Sequence, residues 1–189
     1  MIKAVLFDCF GVLVTDKLLE LLQERVHDEA TWQEIWRHDD AVNRGEMTID
    51  QYPEFLGAQV GLTTAGMREV FERDAPNEEL LGYIASLKPR YKLAVVSNIA
   101  ADILPELLGA HHHALFDATV LSCDLGIVKP DSRIYLAAAE AVGCEPSECL
   151  FVDDKERYCE PARALGMRTV RYQNALQCKN DCEVLLSQP

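Results

Sequence analysis

Four groups of polar residues stand where short apolar runs of the sequence end, and their side chains could together form one reactive site. The groups are Asp8, Ser97-Asn98, Lys129 and Asp153-Asp154. A carboxylate at the end of a buried strand can serve as a nucleophile, and a carboxylate pair suits a hard cation such as Mg²⁺. A lysine balances the charge of a carboxylate and a bound anion, while serine and asparagine donate hydrogen bonds to oxyanions. These residue types therefore indicate a site for an anion and a divalent cation.

Each of these residues also has a purely structural interpretation. The carboxylates could cap local turns or helices, Ser97-Asn98 could form a turn, and Lys129 could lie on the surface. The argument for function is their joint occurrence, because four such groups at successive strand ends seldom arise by accident.

The elements that position these residues are short, continuous apolar runs. They cover residues 4–7, 93–96, 118–121 and 150–152, with a weaker run at 168–172. Such runs are typical of strands buried on both faces of a parallel sheet. Because helical patterns separate them, we predict an α/β fold with a doubly wound parallel sheet. Ligands bind at the carboxyl ends of the strands in such sheets, where the polar groups fall.

The first connection of this predicted sheet is unusually long. More than eighty residues separate Asp8 from the run at Leu93, whereas a simple crossover needs perhaps a dozen or two. Residues 16–28, 31–43, 48–60 and 63–74 each show helical spacing of apolar side chains. We therefore expect a helical cap domain over residues 15–76, standing over the strand ends, and an α/β core domain over residues 1–14 and 77–189.

Composition excludes several classes of partner. The 189 residues include 31 acidic and 18 basic ones, a formal net charge of −13, which disfavours binding to nucleic acid or anionic membranes. Seven cysteines without a C-x-x-C pair suit free thiols in a reducing compartment. With no signal peptide and no apolar run approaching ~18 residues, we expect a cytoplasmic protein. The sequence makes no prediction of its oligomeric state.

Four motifs carry a resemblance to a known superfamily. They are Phe7-Asp8-Cys9-Phe10-Gly11-Val12-Leu13, Val96-Ser97-Asn98, Val128-Lys129-Pro130-Asp131 and Phe151-Val152-Asp153-Asp154. In order and spacing they resemble the four motifs of the haloacid dehalogenase-like (HAD) hydrolases. The resemblance spans residues 3 to about 172 and implies a Rossmann-like core with a helical cap inserted after the first motif.

The resemblance implies a role for each of these residues. Asp8 would be the nucleophile that forms a covalent aspartyl intermediate, and Lys129 would steady both the nucleophile and the transferring group. Ser97 and Asn98 would bind that group. The implied ligands of a Mg²⁺ cofactor are Asp8, the backbone carbonyl of Phe10, Asp154 and, as a ligand or an outer partner, Asp153. Metal and lysine together would neutralise charge on the phosphoryl oxygens.

The sequence departs from the family pattern at two positions. Phosphatases of this family usually carry a second aspartate, the general acid and base, where this chain has Phe10. Losing a positioned acid or base typically costs ~10²–10⁴ in rate. The family's 2-haloacid dehalogenases also lack that aspartate and resemble this chain in having an aromatic residue there. The second departure is Tyr158, where the family often has Asp or Asn.

The motifs therefore leave three hypotheses open. The favoured one is a Mg²⁺-dependent hydrolase of a small phosphorylated metabolite, because buried carboxylates such as Asp153 and Asp154 need a cation. The second is a non-catalytic HAD-fold protein that binds metal or ligand. The third is a metal-independent 2-haloacid dehalogenase, which Phe10 favours because halide leaves without a proton.

The predicted cap contributes its own charge to substrate recognition. Residues 15–78 hold 15 acidic and 6 basic residues, so an anionic substrate would approach against their field. Phosphate binding is therefore expected to require the metal and to tighten with moderate salt. Arg37, Arg44 and Arg68 are equal candidates for an anion clamp, while Trp32 and Trp36 are expected to pack within the cap.

Overall fold

Five strands form one parallel sheet in the computed structural model, which describes residues 1–101 and 103–188. The strands are β1 (Ala4–Phe7), β2 (Lys92–Ser97), β3 (Ala118–Leu121), β4 (Cys149–Asp153) and β5 (Arg168–Arg171). Their order is β3-β2-β1-β4-β5, and each neighbouring pair is parallel. The prediction of a doubly wound α/β sheet is confirmed. Asp102 and Pro189, which belong to the predicted core range, lie outside the described residues.

Helices connect these strands. They are α1 (Lys17–Arg25), α2 (Glu29–Asn43), α3 (Tyr52–Val60), α4 (Thr64–Phe71), α5 (Glu78–Leu87), α6 (Leu104–His113), α7 (Ser122–Leu125), α8 (Ser132–Ala141), α9 (Glu156–Ala164) and α10 (Ala175–Leu186). None of them, within the residues described, has the length and apolar character needed to cross a membrane.

Capping side chains fix the starts of several helices. Asn77 Oδ1 accepts a hydrogen bond from the Leu80 amide at the start of α5, and Asp131 Oδ1 accepts one from the Arg133 amide at α8. The predicted 48–60 helix is divided into a 3₁₀ turn at Ile49–Gln51 and then α3. Pro53 lies in the first turn of α3, where its missing N–H costs no helical hydrogen bond.

The core lies on both faces of the sheet. Every residue of β1 is fully buried, because β2 and β4 flank it and helices cover both faces. One apolar cluster includes Val5, Phe7 and residues of α5 and α10, while the other includes Leu6, Phe151 and residues of α8. Burial on both faces explains why these strands are continuous apolar runs rather than alternating ones.

The helices between β1 and α5 form an apolar cluster of their own. We call residues 15–76 the helical segment; its buried cluster includes Leu22, Ile35, Leu56 and Met67, contributed by α1 to α4. The chain enters and leaves this segment side by side, since Val14 and Pro76 form an antiparallel bridge. A further contact joins it to the core: the Ser122 hydroxyl donates to the Asn43 carbonyl at 2.7 Å.

Gly57 lies close to the backbone of Leu62, and this contact allows a test of the packing within the helical segment. A Cβ atom at Gly57 would lie 2.5 Å from the backbone oxygen of Leu62, whereas a Cβ at Gly82 would meet nothing within 4 Å. We expect Gly57→Ala to lower the free energy of unfolding by about 2 kcal/mol. The control Gly82→Ala, in the exposed face of α5, should raise it by up to about 1 kcal/mol. Urea unfolding of both variants checks this, and equal effects would contradict it.

Candidate active site

The site forms where the strand order of the sheet reverses. From β1 the chain proceeds outward to β2 and β3, then returns to place β4 on the other side of β1. The carboxyl ends of β1 and β4 therefore border the crevice in which doubly wound sheets bind ligands. Asp8 follows β1 directly, and its amide donates to the Val152 carbonyl at 2.9 Å, so the two strand ends stay aligned. Asp153 is the last residue of β4.

A buried lysine joins these two strand ends. Lys129 Nζ lies 2.7 Å from Asp8 Oδ1 and 2.8 Å from Asp153 Oδ2, and all three side chains are almost entirely buried. Burial opposes the charge on Lys129, but Asp153 and Asp8 outweigh it and raise the pKa of the ammonium group. Burial, followed by the charge of Asp8, raises the pKa of Asp153 to about 7 despite its bond to Lys129.

Asn98 holds Lys129 in position through its backbone. The Asn98 side chain accepts from the Lys129 amide at 2.7 Å and donates to the Lys129 carbonyl at 3.1 Å. The ring centroid of Tyr158 lies 5.0 Å from Lys129 Nζ, and that of Phe151 lies 5.6 Å away. Tyr158, which departs from the family pattern, thus contributes an aromatic face to the lysine.

Ser97 occupies the predicted strand end, at the last position of β2 and next to Asn98. It is fully buried, and its hydroxyl donates a long, 3.4 Å hydrogen bond to the Asn98 carbonyl. Asp8, Phe10, Asn98 and Lys129 line the cavity described below, whereas Ser97 is not one of its described lining residues.

The three carboxylates of the site are close enough to share a cation. Asp8, Asp153 and Asp154 each offer an oxygen, and these atoms lie within 4.8 Å of one another. Both oxygens of Asp153 are in use, since Oδ2 accepts from Lys129 and Oδ1 accepts from the Lys155 amide at 2.8 Å. Among the described residues, Asp154 Oδ1 is the one buried side-chain oxygen or nitrogen without a hydrogen-bond partner. Such an orphaned carboxylate oxygen suits a metal ligand.

Gly11 allows Asp154 to approach the first strand end. The backbone of Gly11 has a φ of +80°, and a Cβ there would lie 3.1 Å from Asp154 Oδ2. A side chain at this position would therefore crowd the carboxylate as well as strain the backbone.

A cavity of about 400 Å³ opens beside Asp8. Its polar part includes Asp8, Asn98 and Lys155, which follow β1, β2 and β4, and Lys129, which lies in the loop before α8 rather than at a strand end as predicted. Its larger, apolar part comes from α1 to α4 and from the residues that follow β2. Asp154 lines a neighbouring cavity that shares Asp16 and Leu19 with this one.

Six charged residues of the cavity were not predicted from the sequence: Asp16, Asp39, Asp50, Glu72, Asp74 and Lys155. Lys155 follows Asp154 directly, and adjacency to that motif is the signal that could have found it. Asp16 caps α1 and lies 3.9 Å from Lys155 Nζ, while Asp39 accepts a 2.8 Å hydrogen bond from the Tyr52 hydroxyl. Burial raises the pKa of Asp16 and raises that of Asp39 to about 6. Neither aspartate stands in a pattern that distinguishes it from other acidic helix residues.

The arginines and tryptophans singled out in the sequence differ in whether they line the cavity. Arg68 lines the cavity, whereas Arg44 pairs with Asp40 at 3.3 Å, and neither Arg44 nor Arg37 is a described lining residue. Trp32 and Trp36 stack with ring centroids 5.4 Å apart, and Trp32 packs against the apolar cluster of the helical segment. Trp36 also lines the cavity.

Comparison with known proteins places the chain in a family. Residues 2–166 match the model of the haloacid dehalogenase-like hydrolases. The chain is 28% identical over 173 residues to the sesquiterpene phosphatase astK of Aspergillus oryzae, a match covering 87% of each chain. It is 27% identical to the glyceraldehyde 3-phosphate phosphatase of Methanopyrus kandleri, over 97% of this chain and 91% of that one.

A solved structure with the same fold agrees with this placement. A HAD family enzyme from Bacteroides thetaiotaomicron, in complex with magnesium and inorganic phosphate, has a TM-score of 0.70 at 22% identity, covering 92% of this chain and 96% of that one. Its likeness extends to the parallel sheet and the flanking helices. Because the family model covers most of its length, this chain belongs to the haloacid dehalogenase-like hydrolases.

Proposed function

We propose that this protein is a Mg²⁺-dependent phosphatase that hydrolyses a small phosphomonoester through a covalent intermediate on Asp8. The observation that carries the proposal is the orphaned oxygen of Asp154 beside the buried Asp8–Lys129–Asp153 cluster. A carbon-centred dehalogenase of this family needs no cation, so it gives no reason for a third carboxylate with a buried, unpartnered oxygen. The phosphatase names of two relatives and the magnesium and phosphate in the structural neighbour also support it.

The donor set fits Mg²⁺. Asp8 and Asp154 would hold the ion with the backbone carbonyl of Phe10, while Asp153, whose oxygens are both bonded to protein, would act from outside the ligand set. Hard oxygen donors are those that Mg²⁺ prefers. When bound, the metal would neutralise charge on the phosphoryl oxygens and make the phosphorus easier to attack.

The chain's own residues would carry the two displacement steps. The Asp8 carboxylate, oriented by Lys129 and by the Cys9 amide at 2.7 Å, would bond to phosphorus as the bond to the alcohol oxygen breaks. That oxygen leaves with the electron pair and takes up a proton from water, since Phe10 cannot supply one. Water would then attack the same phosphorus, which releases phosphate and restores Asp8. Lys129 stays protonated throughout and balances the charge of the transferring group.

The domain organisation is part of the same proposal. We assign residues 1–14 and 77–189 to the catalytic core and residues 15–76 to a cap that supplies the substrate-binding wall. The separate apolar cluster of the helical segment and its paired entry and exit at Val14 and Pro76 support this division. We also place the protein in the cytoplasm, with support from seven cysteines that are all free thiols.

Metal binding can be tested without any substrate. We expect excess Mg²⁺ to stabilise the protein by about 2.7 kcal/mol when free Mg²⁺ is ~100 times Kd. The Asp154→Asn variant should lose most of this stabilisation because the orphaned oxygen becomes a neutral amide. Differential scanning calorimetry with and without Mg²⁺ measures both effects.

The matched control for this experiment is Asp124→Asn, an exposed carboxylate outside the site. It should respond to Mg²⁺ as the unaltered protein does. An undiminished Mg²⁺ response in Asp154→Asn would exclude the proposed ligand set.

The nucleophile is tested by phosphate release from an aryl phosphate, whose leaving group needs no protonation. With Mg²⁺ we expect turnover that falls at least ~10³-fold in Asp8→Asn, because the neutral amide cannot attack phosphorus. A chelator should abolish the same activity, and Asp124→Asn should retain it. Release that persists in Asp8→Asn or in the chelator would contradict the proposal, and halide release from 2-haloacids in chelator would favour the dehalogenase instead.

Phe10 gives a further prediction about the leaving group. Without an acid at this position, alkyl phosphates should turn over slowly, and Phe10→Asp should raise their kcat by about 10²-fold or more. In the control Phe10→Asn, the new side chain has nearly the same shape as aspartate but is not an acid. This variant should therefore not accelerate the hydrolysis of alkyl phosphates. Equal rates in the two variants would show that no proton donor is missing at residue 10.

A further inference from the structure

The division of the cavity into a polar end and an apolar wall restricts the substrate that it can hold. We propose that the substrate is a phosphomonoester whose alcohol part is an uncharged hydrocarbon group rather than a polyol. The proposal rests on the phosphatase function above and adds the class of the leaving group. The phosphate would lie at Asp8 and Lys129, and the hydrocarbon would extend along the helical segment.

The apolar wall runs from the interior to the surface. Its large side chains include those of Leu18, Ile35, Trp36, Ile49, Phe71 and Ile103. Ile35 is fully buried, whereas Ile49 is 44% exposed, so an extended group could follow the wall outward from the site. The volume of about 400 Å³ lies within the ~300–1,000 Å³ of small-molecule sites.

Several polar side chains along this wall are already bonded to the protein. Asp39 is paired with the Tyr52 hydroxyl at 2.8 Å, and Asp16 accepts from the Leu19 amide at 2.9 Å. Asp74 accepts from the Thr15 hydroxyl at 3.0 Å and from the Lys17 amide at 2.9 Å. The hydroxyls of a bound polyol would have to exchange water for partners in a mainly apolar cavity, whereas a hydrocarbon group needs none, so the lining favours the hydrocarbon.

The charges of the cavity oppose a second anionic group on the substrate. Its described lining residues include six acids and three bases: Asp8, Asp16, Asp39, Asp50, Glu72 and Asp74 against Arg68, Lys129 and Lys155. Lys129 is already committed to Asp8 and Asp153. Such an excess of acid favours a substrate with one phosphate and an otherwise uncharged body.

Binding to an inactive variant tests this inference apart from catalysis. We would titrate Asp8→Asn, with Mg²⁺ present, with ethyl, butyl, hexyl, octyl and decyl phosphate in a calorimeter. Each buried methylene should tighten Kd by about three- to fourfold until the wall is covered, with an increasingly negative heat-capacity change. Glycerol phosphate and ribitol phosphate should bind no better than ethyl phosphate.

A variant in the cavity and a variant on the surface show where the alkyl group of the ligand binds. Ile49→Ser, at a partly exposed position of the wall, should raise the Kd of decyl phosphate by about fivefold and leave the Kd of ethyl phosphate unchanged. The control is Val184→Ser, since Val184 is 60% exposed on α10 and is not a described lining residue of the cavity. This variant should change the Kd of neither phosphate.

The outcomes separate the two proposals. A Kd independent of chain length, or tighter binding of the polyol phosphates, would overturn the hydrocarbon inference whether or not the protein is a phosphatase. Chain-length-dependent binding that Ile49→Ser weakens would uphold it, even if the unaltered protein releases no phosphate and the proposed function fails.

Discussion

The buried ion cluster of Lys129 with Asp8 and Asp153 is the constraint on which the rest of the site depends. Removing charged groups from water costs several kcal/mol each, so such a cluster persists only when every partner is held in place. The parallel strands β1 and β4 align the two carboxylates. Asn98, which follows β2, makes two side-chain hydrogen bonds to the backbone of Lys129. Asp154 adds a negative charge that this cluster does not balance, which is why a cation is the natural complement.

The core and the helical segment differ in what they can offer a ligand. The strand ends supply charge and hydrogen bonds, and they do so with groups fixed by the sheet. The helical segment supplies mostly apolar surface, and its own carboxylates are largely engaged within the protein. The proposed chemistry therefore belongs to the core, while the proposed choice of substrate belongs to the wall. The same core could serve different substrates if only the wall changed.

Sequence reasoning was strongest where one physical pattern decided the outcome. Continuous apolar runs located β1 to β4 to within about one residue, because burial in the sheet leaves few other residue choices. The edge strand β5, which is only partly buried, was located from a weaker run that includes two arginines. It was weaker where side-chain direction mattered: the sequence treats Arg37, Arg44 and Arg68 as equal candidates, whereas only Arg68 is among the described lining residues of the cavity. The apolar wall, Lys155 and the contact of Tyr158 with Lys129 depend on how helices pack onto the sheet, which helical periodicity does not encode.

The central claim is that Asp8 carries the transferred phosphoryl group. Its most direct test is a rapid acid quench during turnover of an aryl phosphate with Mg²⁺, followed by mass spectrometry of the peptide that contains Asp8. The account predicts a phosphoryl adduct on Asp8 that forms and decays at rates compatible with turnover. Turnover with no adduct on Asp8, or with the adduct on another residue, would contradict it.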